Sequence, residues 1–362
     1  MPEVEQTPVG VVADPGEARQ SEARQSEARQ GKAPPRWALG VPRLVARSAI
    51  AYQHAPMLIA LVVLSIAFAV LSPHYLSSGN VLNIGRQIAI VSVVAFGATA
   101  VIIAGEIDLS VGSVMGLTSV VVGIVLHGTP LTSQGPNIGL FLALGAGLLV
   151  GLGLGLFNGL VTVYGRIPSF IVTLGTLSIA RGLALSYGTG VPDPITSRAY
   201  LASFGDGSVL GIPVLILYTL LVLGVMTFVL RFTLFGIQVY ATGGNAEASR
   251  LAGVPVRRVR VTVLAIGGLL AGFAGILGTA RVQTALPQLG VGIELDAIAA
   301  AVLGGTRFSG GRGTVVGTLL GAVLIGVINN GLTLLGVGST FQNVIKGAVI
   351  ILAVLLDRFR PR

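Results

Sequence analysis

The chain contains no cysteine and only three histidines, His54, His74 and His127, among 362 residues. Without thiols there is no disulfide framework, no thiolate metal site and no cysteine nucleophile. Three scattered histidines do not make a metal site either. Charge is also scarce: Asp, Glu, Lys and Arg supply 10% of the residues, against roughly 25% in an ordinary soluble domain. A water-soluble protein of this length must cover a wide surface with polar groups, and 23 basic and 14 acidic side chains cannot do so. Surface facing lipid needs no such cover. The scarcity therefore excludes a soluble globular enzyme and implies a membrane-embedded chain.

What is present is apolar bulk, 53% of the residues, together with 52 glycines. Residues 1–48 stand apart, with seven basic and six acidic side chains and the run GEARQ-SEARQ-SEARQ from Gly16 to Gln30. Such a segment cannot bury enough apolar surface to offset the entropy of ordering, and it reads as a disordered N-terminal tail. It lacks the basic, apolar and small-residue order of a signal peptide. Residues 49–362 form the membrane domain, with ten apolar runs at 56–72, 88–104, 109–127, 138–163, 169–187, 211–230, 261–280, 295–306, 314–336 and 342–356. Most reach the roughly 17–25 residues that cross a bilayer as a helix. The expected fold is an all-α membrane protein, a polytopic helical bundle of about ten transmembrane helices. Gly145, Gly147, Gly151, Gly153 and Gly155 in one run, and Gly317, Gly321 and Gly326 in another, suit close helix packing in lipid.

The formal charge of +9 could suggest nucleic acid, but its placement reports topology. The connection 231–260 carries Arg231, Arg250, Arg257, Arg258 and Arg260 against the single acid Glu247. Arg358, Arg360 and Arg362 crowd the other end of the chain. Under the positive-inside rule both segments are cytoplasmic. An even number of spans then puts the N- and C-termini in the cytoplasm.

Three stretches are polar where an apolar bundle has little use for polarity. Residues 105–113, GEIDLSVGS, bring Glu106, Asp108 and Ser110 to the membrane, where carboxylates are costly unless solvated, paired or functional. A helix-capping turn, a gate on a path through the bundle, and a catalytic carboxylate pair are the readings of this stretch. Asn158, Asp296 and Asn330 join it as further candidates for a path or gate. Residues 304–314, GGTRFSGGRGT, have the Gly, Ser and Thr of a phosphate cradle but not the order of a nucleotide-binding loop. They read as a tight turn between spans with Arg307 and Arg312 on the cytoplasmic side. A single shift of the sequence sets Gly112 and Ser113 against Gly313 and Thr314, and a separate match sets Asn158-Gly159-Leu160 against Asn330-Gly331-Leu332. Two related halves are expected on that basis, with corresponding breaks marking the path. The third stretch, residues 243–253, has the grammar of a short isolated helix. Asn245 is the N-cap, Glu247 sits at the positive end, and Gly253 is the left-handed residue that follows. A helix this short is marginal alone in water and needs a docking surface.

GEIDLSVGS (105–113), NGLVTVYGRIPSFIVTLGT (158–176), GGNAEASRLAGV (243–254), ELDAIAAAVLGGTRFSGGRGTVVGTLLGA (294–322) and NNGLTLLGV (329–337) together resemble the ribose-type permease family. These are membrane subunits of ATP-binding-cassette sugar importers, and the likeness covers roughly residues 50–357. The resemblance implies a prokaryotic plasma-membrane subunit paired with a second permease copy, identical or related. Partner ATPase subunits hold ATP-Mg, and an extracytoplasmic binding protein delivers the sugar. This chain itself is expected to bind no cofactor, metal or nucleic acid and to carry no catalytic residue. In the family picture residues 231–260 form the coupling loop, with Gly243, Gly244, Asn245, Glu247, Arg250 and Gly253 at the ATPase contact. The family usually has Gly where this chain has Glu106. Permeases for branched-chain amino acids or nucleosides share the architecture and stay open as alternatives. An ion-coupled secondary transporter would need carboxylates or histidines deep inside the spans, and the acidic residues here lie near span ends.

Overall fold

The computed structural model describes residues 43–128, 136–188 and 192–358. The chain divides into two compact units, Met1–Gln53 and His54–Arg362. Of the first, residues 43–53 are the opening turns of helix α1 (Arg43–Leu71). The tail expected to be disordered lies, for residues 1–42, outside the described residues.

The second unit is helical, with four two-residue strands among its described residues. After α1 come α2 (Ser78–Ile103), α3 (Val111–Gly128), α4 (Pro136–Gly165) and α5 (Ser169–Tyr187). A connection with β1 (Asp193–Pro194), α6 (Arg198–Phe204), β2 (Ser208–Val209) and β3 (Ile212–Pro213) leads to α7 (Val214–Phe232). Then follow α8 (Leu234–Gly244), α9 (Ala246–Leu251), α10 (Val256–Val282), β4 (Thr284–Ala285), α11 (Ile293–Leu303), α12 (Val315–Leu334) and α13 (Ser339–Arg358). β1 pairs antiparallel with β4, and β2 with β3.

Each of the ten apolar runs coincides with a helix. Among the described residues six helices are long and apolar enough to cross a membrane: α2, Ile138–Gly165 of α4, α5, α7, α10 and α12. Met57–Leu71 and Val111–His127 are shorter apolar helices. The run at 295–306 becomes α11, of 11 residues. It rises about 16 Å, roughly half the hydrocarbon thickness of a bilayer. α2 starts ten residues ahead of its apolar run because its polar first turns are satisfied. Ser77 Oγ accepts from Asn80 N at the cap, and Asn80 in turn bonds across the bundle.

Of the six long apolar helices α2 and α10 are the most enclosed, and Val93, Val94, Ala95, Phe96 and Ile103 of α2 are fully buried. α4 crosses α10 backbone to backbone. A Cβ on Gly151 would lie 2.3 Å from the Gly268 carbonyl oxygen, and one on Gly155 would lie 2.6 Å from that of Leu264. Small residues allow this approach, and dispersion between closely packed backbones replaces the hydrophobic term that lipid cannot supply. Gly147, Gly151 and Gly155 bear out the packing reading, whereas Gly145 and Gly153 face open space.

The helices on either side of residues 304–314 meet in a turn that repeats the one after α2. Ala104, Gly105 and Glu106 donate to Ala100, Ile102 and Val101, and Gly304, Gly305 and Thr306 donate in the same pattern to Ala300, Val302 and Ala301. The helix resumes where Val114 donates to Ser110 and Thr318 to Thr314. Ser110, not Ser113, is thus the counterpart of Thr314. One ungapped shift could not register the two breaks, because the second is longer. Asn158 lies on the second helix after the first break and Asn330 on the first helix after the second, so these two do not correspond.

Candidate functional site

The break between α2 and α3 is non-helical backbone after its opening turn, and α5 supplies its missing hydrogen bonds. Ser169 Oγ accepts from Ile107 N at 3.0 Å. Thr173 Oγ1 accepts from Leu109 N at 3.1 Å and donates to the Ile107 carbonyl at 3.3 Å. Backbone groups inside a bilayer need such internal partners. Asp108 Oδ1 accepts from Ser110 N at 2.8 Å and from Ser110 Oγ at 2.6 Å. Asp108 therefore stabilises the turn that leads into α3. Ser110 Oγ also accepts from Asn158 Nδ2 at 2.9 Å, and Asn158 Oδ1 accepts from Thr176 Oγ1 at 2.6 Å. Asp108, Ser110, Asn158 and Thr176 thus form one buried relay through the break, α4 and α5. Among the described residues Asp108 Oδ2 has no hydrogen-bond partner, and it faces Gly267 of α10.

The remaining path candidates are held in pairs. Glu106 Oε1 lies 2.9 Å from Arg260 Nε as an ion pair that lacks hydrogen-bond alignment. Lys346 Nζ of α13 donates to Asp296 Oδ2 of α11 at 3.0 Å. Asn330 and Asn80 exchange amide bonds at 2.8 and 3.0 Å. The structure gathers Glu106, Asp108, Ser110 and Asn158 around the first break but sets Asp296 and Asn330 on other contacts. A further polar cluster stands where α3, α5 and the start of α11 meet. Arg181 donates to the Pro287 carbonyl and, at 3.3 Å, to that of Gly112, and a Cβ on Gly112 would lie 2.2 Å from Glu294 Oε2.

The 243–253 segment forms the expected short helix. Asn245 ends α8 through its N–H to the Ala241 carbonyl, and its Oδ1 accepts from Ala248 N at 2.9 Å to cap α9. Gly253 follows at φ 84°. Arg250 grips Glu247 with Nε and Nη2 at 3.1 and 2.5 Å. Both side chains are exposed, 64% and 68%. The Arg250 guanidinium holds the Glu247 carboxyl below its usual range, and Glu247 raises Arg250 in return. Gly243 and Gly244 form the last turn of α8 and touch the helix breaks.

Several contributors were not legible in the sequence: Arg260, Lys346, Asn80, Arg181, and the α5 hydroxyls. Ser169, Thr173 and Thr176 fall on one helix face at spacings of four and three, and that periodicity is the signal that could have singled them out. The ionic partners come from distant segments and leave no local mark. Among the described residues no three His, Cys, Asp or Glu side chains gather as metal ligands.

Residues 80–354 match the family described as the branched-chain amino acid transport system / permease component. The chain is 44% identical over 300 residues to the ribose import permease protein of Bacillus subtilis (strain 168), covering 82% of this chain and 90% of that protein. It is 41% identical over 303 residues to the ribose import permease protein of Escherichia coli (strain K12), covering 83% and 92%. With the L-arabinose ABC transporter permease protein of Azospirillum brasilense the identity is 35% over 331 residues, covering 91% and 92%.

Proposed function

Because the chain belongs to the branched-chain amino acid transport system / permease family and is a multi-pass membrane protein, we propose that it is the membrane subunit of an ATP-driven importer for a monosaccharide. Its relatives include a ribose import permease and an L-arabinose ABC transporter permease, which supports a sugar. In this reading it pairs with a second permease copy, takes sugar from an extracytoplasmic binding protein, and leaves ATP-Mg to partner ATPases. With α1, α3, α11 and α13 added to the six long helices, about ten helices lie in the membrane, in two related halves. The termini and the basic 231–260 segment lie in the cytoplasm.

The observation that carries this reading is α9. It is a capped two-turn helix at the basic end of the bundle, with an exposed Glu247–Arg250 pair facing away from its own core. A helix of this length gains little alone, and an exposed, pre-arranged ion pair suits a partner surface. Closure of the ATPases on ATP would displace α9 and reopen the bundle on its other side. Glu106 and Asp296 are held in ion pairs, so neither carboxylate stands free to load and release a cation as an ion-coupled carrier requires.

The test is the assembled complex in vesicles. Arg250→Glu should leave the protein in the membrane while uptake of labelled sugar falls well below ATP turnover. Normal uptake by that variant would remove α9 from the coupling path. Membership of the branched-chain amino acid transport system / permease component family also favours a second reading, uptake of branched-chain amino acids. Labelled leucine in place of labelled ribose or arabinose separates the two.

A further inference from the structure

Three glycine-bearing turns from distant parts of the chain meet at the basic end of the bundle. Gly105 lies in the turn after α2, Gly243 in the last turn of α8, and Gly310 and Gly311 in the loop between α11 and α12. A Cβ on Gly243 would lie 1.7 Å from the Ile103 carbonyl oxygen and 2.7 Å from Gly311 N. On Gly310 it would lie 2.8 Å from the Gly243 oxygen and 3.2 Å from Gly105 Cα, and on Gly311 2.8 Å from Gly244 Cα. Two hydrogen bonds bind the three segments. Gly311 N donates to the Ile103 carbonyl at 2.9 Å, and Tyr240 Oη of α8 donates to the Gly313 carbonyl at 2.8 Å.

A contact between side chains can absorb a small displacement by changing rotamers. Here main chain rests on main chain, so a shift of one segment must move the others or break their hydrogen bonds. Close-packed contacts of this kind transmit displacement between discrete arrangements and do not deform smoothly. α9 is separated from Gly244 by Asn245 alone, which caps both helices. On the far side, the first break carries the Asp108–Ser110–Asn158–Thr176 relay and the Glu106–Arg260 pair. The second break joins α11, with Asp296, to α12.

We propose that the contact of Gly105, Gly243, Gly310 and Gly311 is the mechanical joint through which movement of α9 reaches both helix breaks at once. Gly243 and Tyr240 are its positioning residues. The proposal rests on the reading of α9 as the ATPase contact.

The experiment uses the full complex, with ATPase subunits and sugar-loaded binding protein, in vesicles. It reads sugar moved per ATP hydrolysed, alongside the amount of protein in the membrane. Gly243→Ala inserts a methyl group where no atom fits, and the ratio should fall about tenfold while ATP turnover continues. Tyr240→Phe adds no atom and should lower the ratio about threefold at normal abundance. Gly153→Ala, in open space on α4, controls for a general glycine effect and should keep the wild-type ratio. A wild-type ratio in assembled Gly243→Ala overturns the joint, as does an equal fall in Gly153→Ala. If Gly243→Ala does not reach the membrane, Tyr240→Phe decides, and an unchanged ratio there overturns the proposal. A wild-type chain that never alters turnover of the ATPase subunits refutes the importer reading itself and not the joint.

Discussion

Glu106 and Arg260 are joined across the bundle, with Oε1 and Nε 2.9 Å apart and the glutamate side chain 7% exposed. The pair ties the first helix break to the opening turns of α10. Arg260 is 36% exposed, and water offsets part of the loss when its partner goes. A double-mutant cycle with Glu106→Gln and Arg260→Gln should give a coupling of about 1 kcal/mol. Thermal unfolding of the detergent-purified protein measures it, and purely additive losses would show that the two side chains do not interact.

Asp296 and Lys346 form a more enclosed pair, 11% and 25% exposed. Removing one partner leaves a charge in an apolar setting, whereas removing both leaves none. Lys346→Met alone should destabilise by about 3 kcal/mol, and adding Asp296→Asn should restore most of that loss. The check is the melting temperature of the single and double variants. A double variant as unstable as the single one contradicts the pairing.

Asn158 satisfies Ser110 and Thr176 together. Asn158→Leu keeps the branched shape but strips both partners in a buried site, at a cost of about 1–3 kcal/mol for each group left unpaired. The yield of folded, monodisperse protein should drop sharply. Full yield would mean that the relay has no structural weight.

Gly151 and Gly153 are two residues apart on α4 yet face opposite surroundings. Gly151→Leu drives a side chain into the α10 backbone and should cost about 1–3 kcal/mol or more. Gly153→Leu, in open space, should be tolerated. Equal effects on thermal stability would refute the α4–α10 glycine contact.

Much of this molecule was readable in one dimension. The ten apolar runs became helices because burial of apolar length in lipid is a local property of composition. α9 took its cap, its ion pair and its left-handed Gly253 from residues within one short segment. The glycine contacts of α4 followed the four-residue spacing of Gly147, Gly151 and Gly155. The register of the two breaks was not readable, because backbone geometry tolerates a longer second turn that an ungapped comparison cannot follow. The short span of α11 was readable in its run at 295–306, and the structure moved only its end, to Leu303, where the Gly304–Gly305 turn stops the helix.

The sequence by itself determined that this is a helical membrane protein with a basic connecting loop and a capped helix inside it. These features follow from composition, charge placement and short-range spacing. Only the tertiary structure decided that Glu106 meets Arg260, that Asp296 meets Lys346, that α5 hydroxyls hold the first break, and that Gly105, Gly243 and Gly311 touch. Each of these contacts joins residues far apart in the chain, and their partners are chosen by how the helices pack.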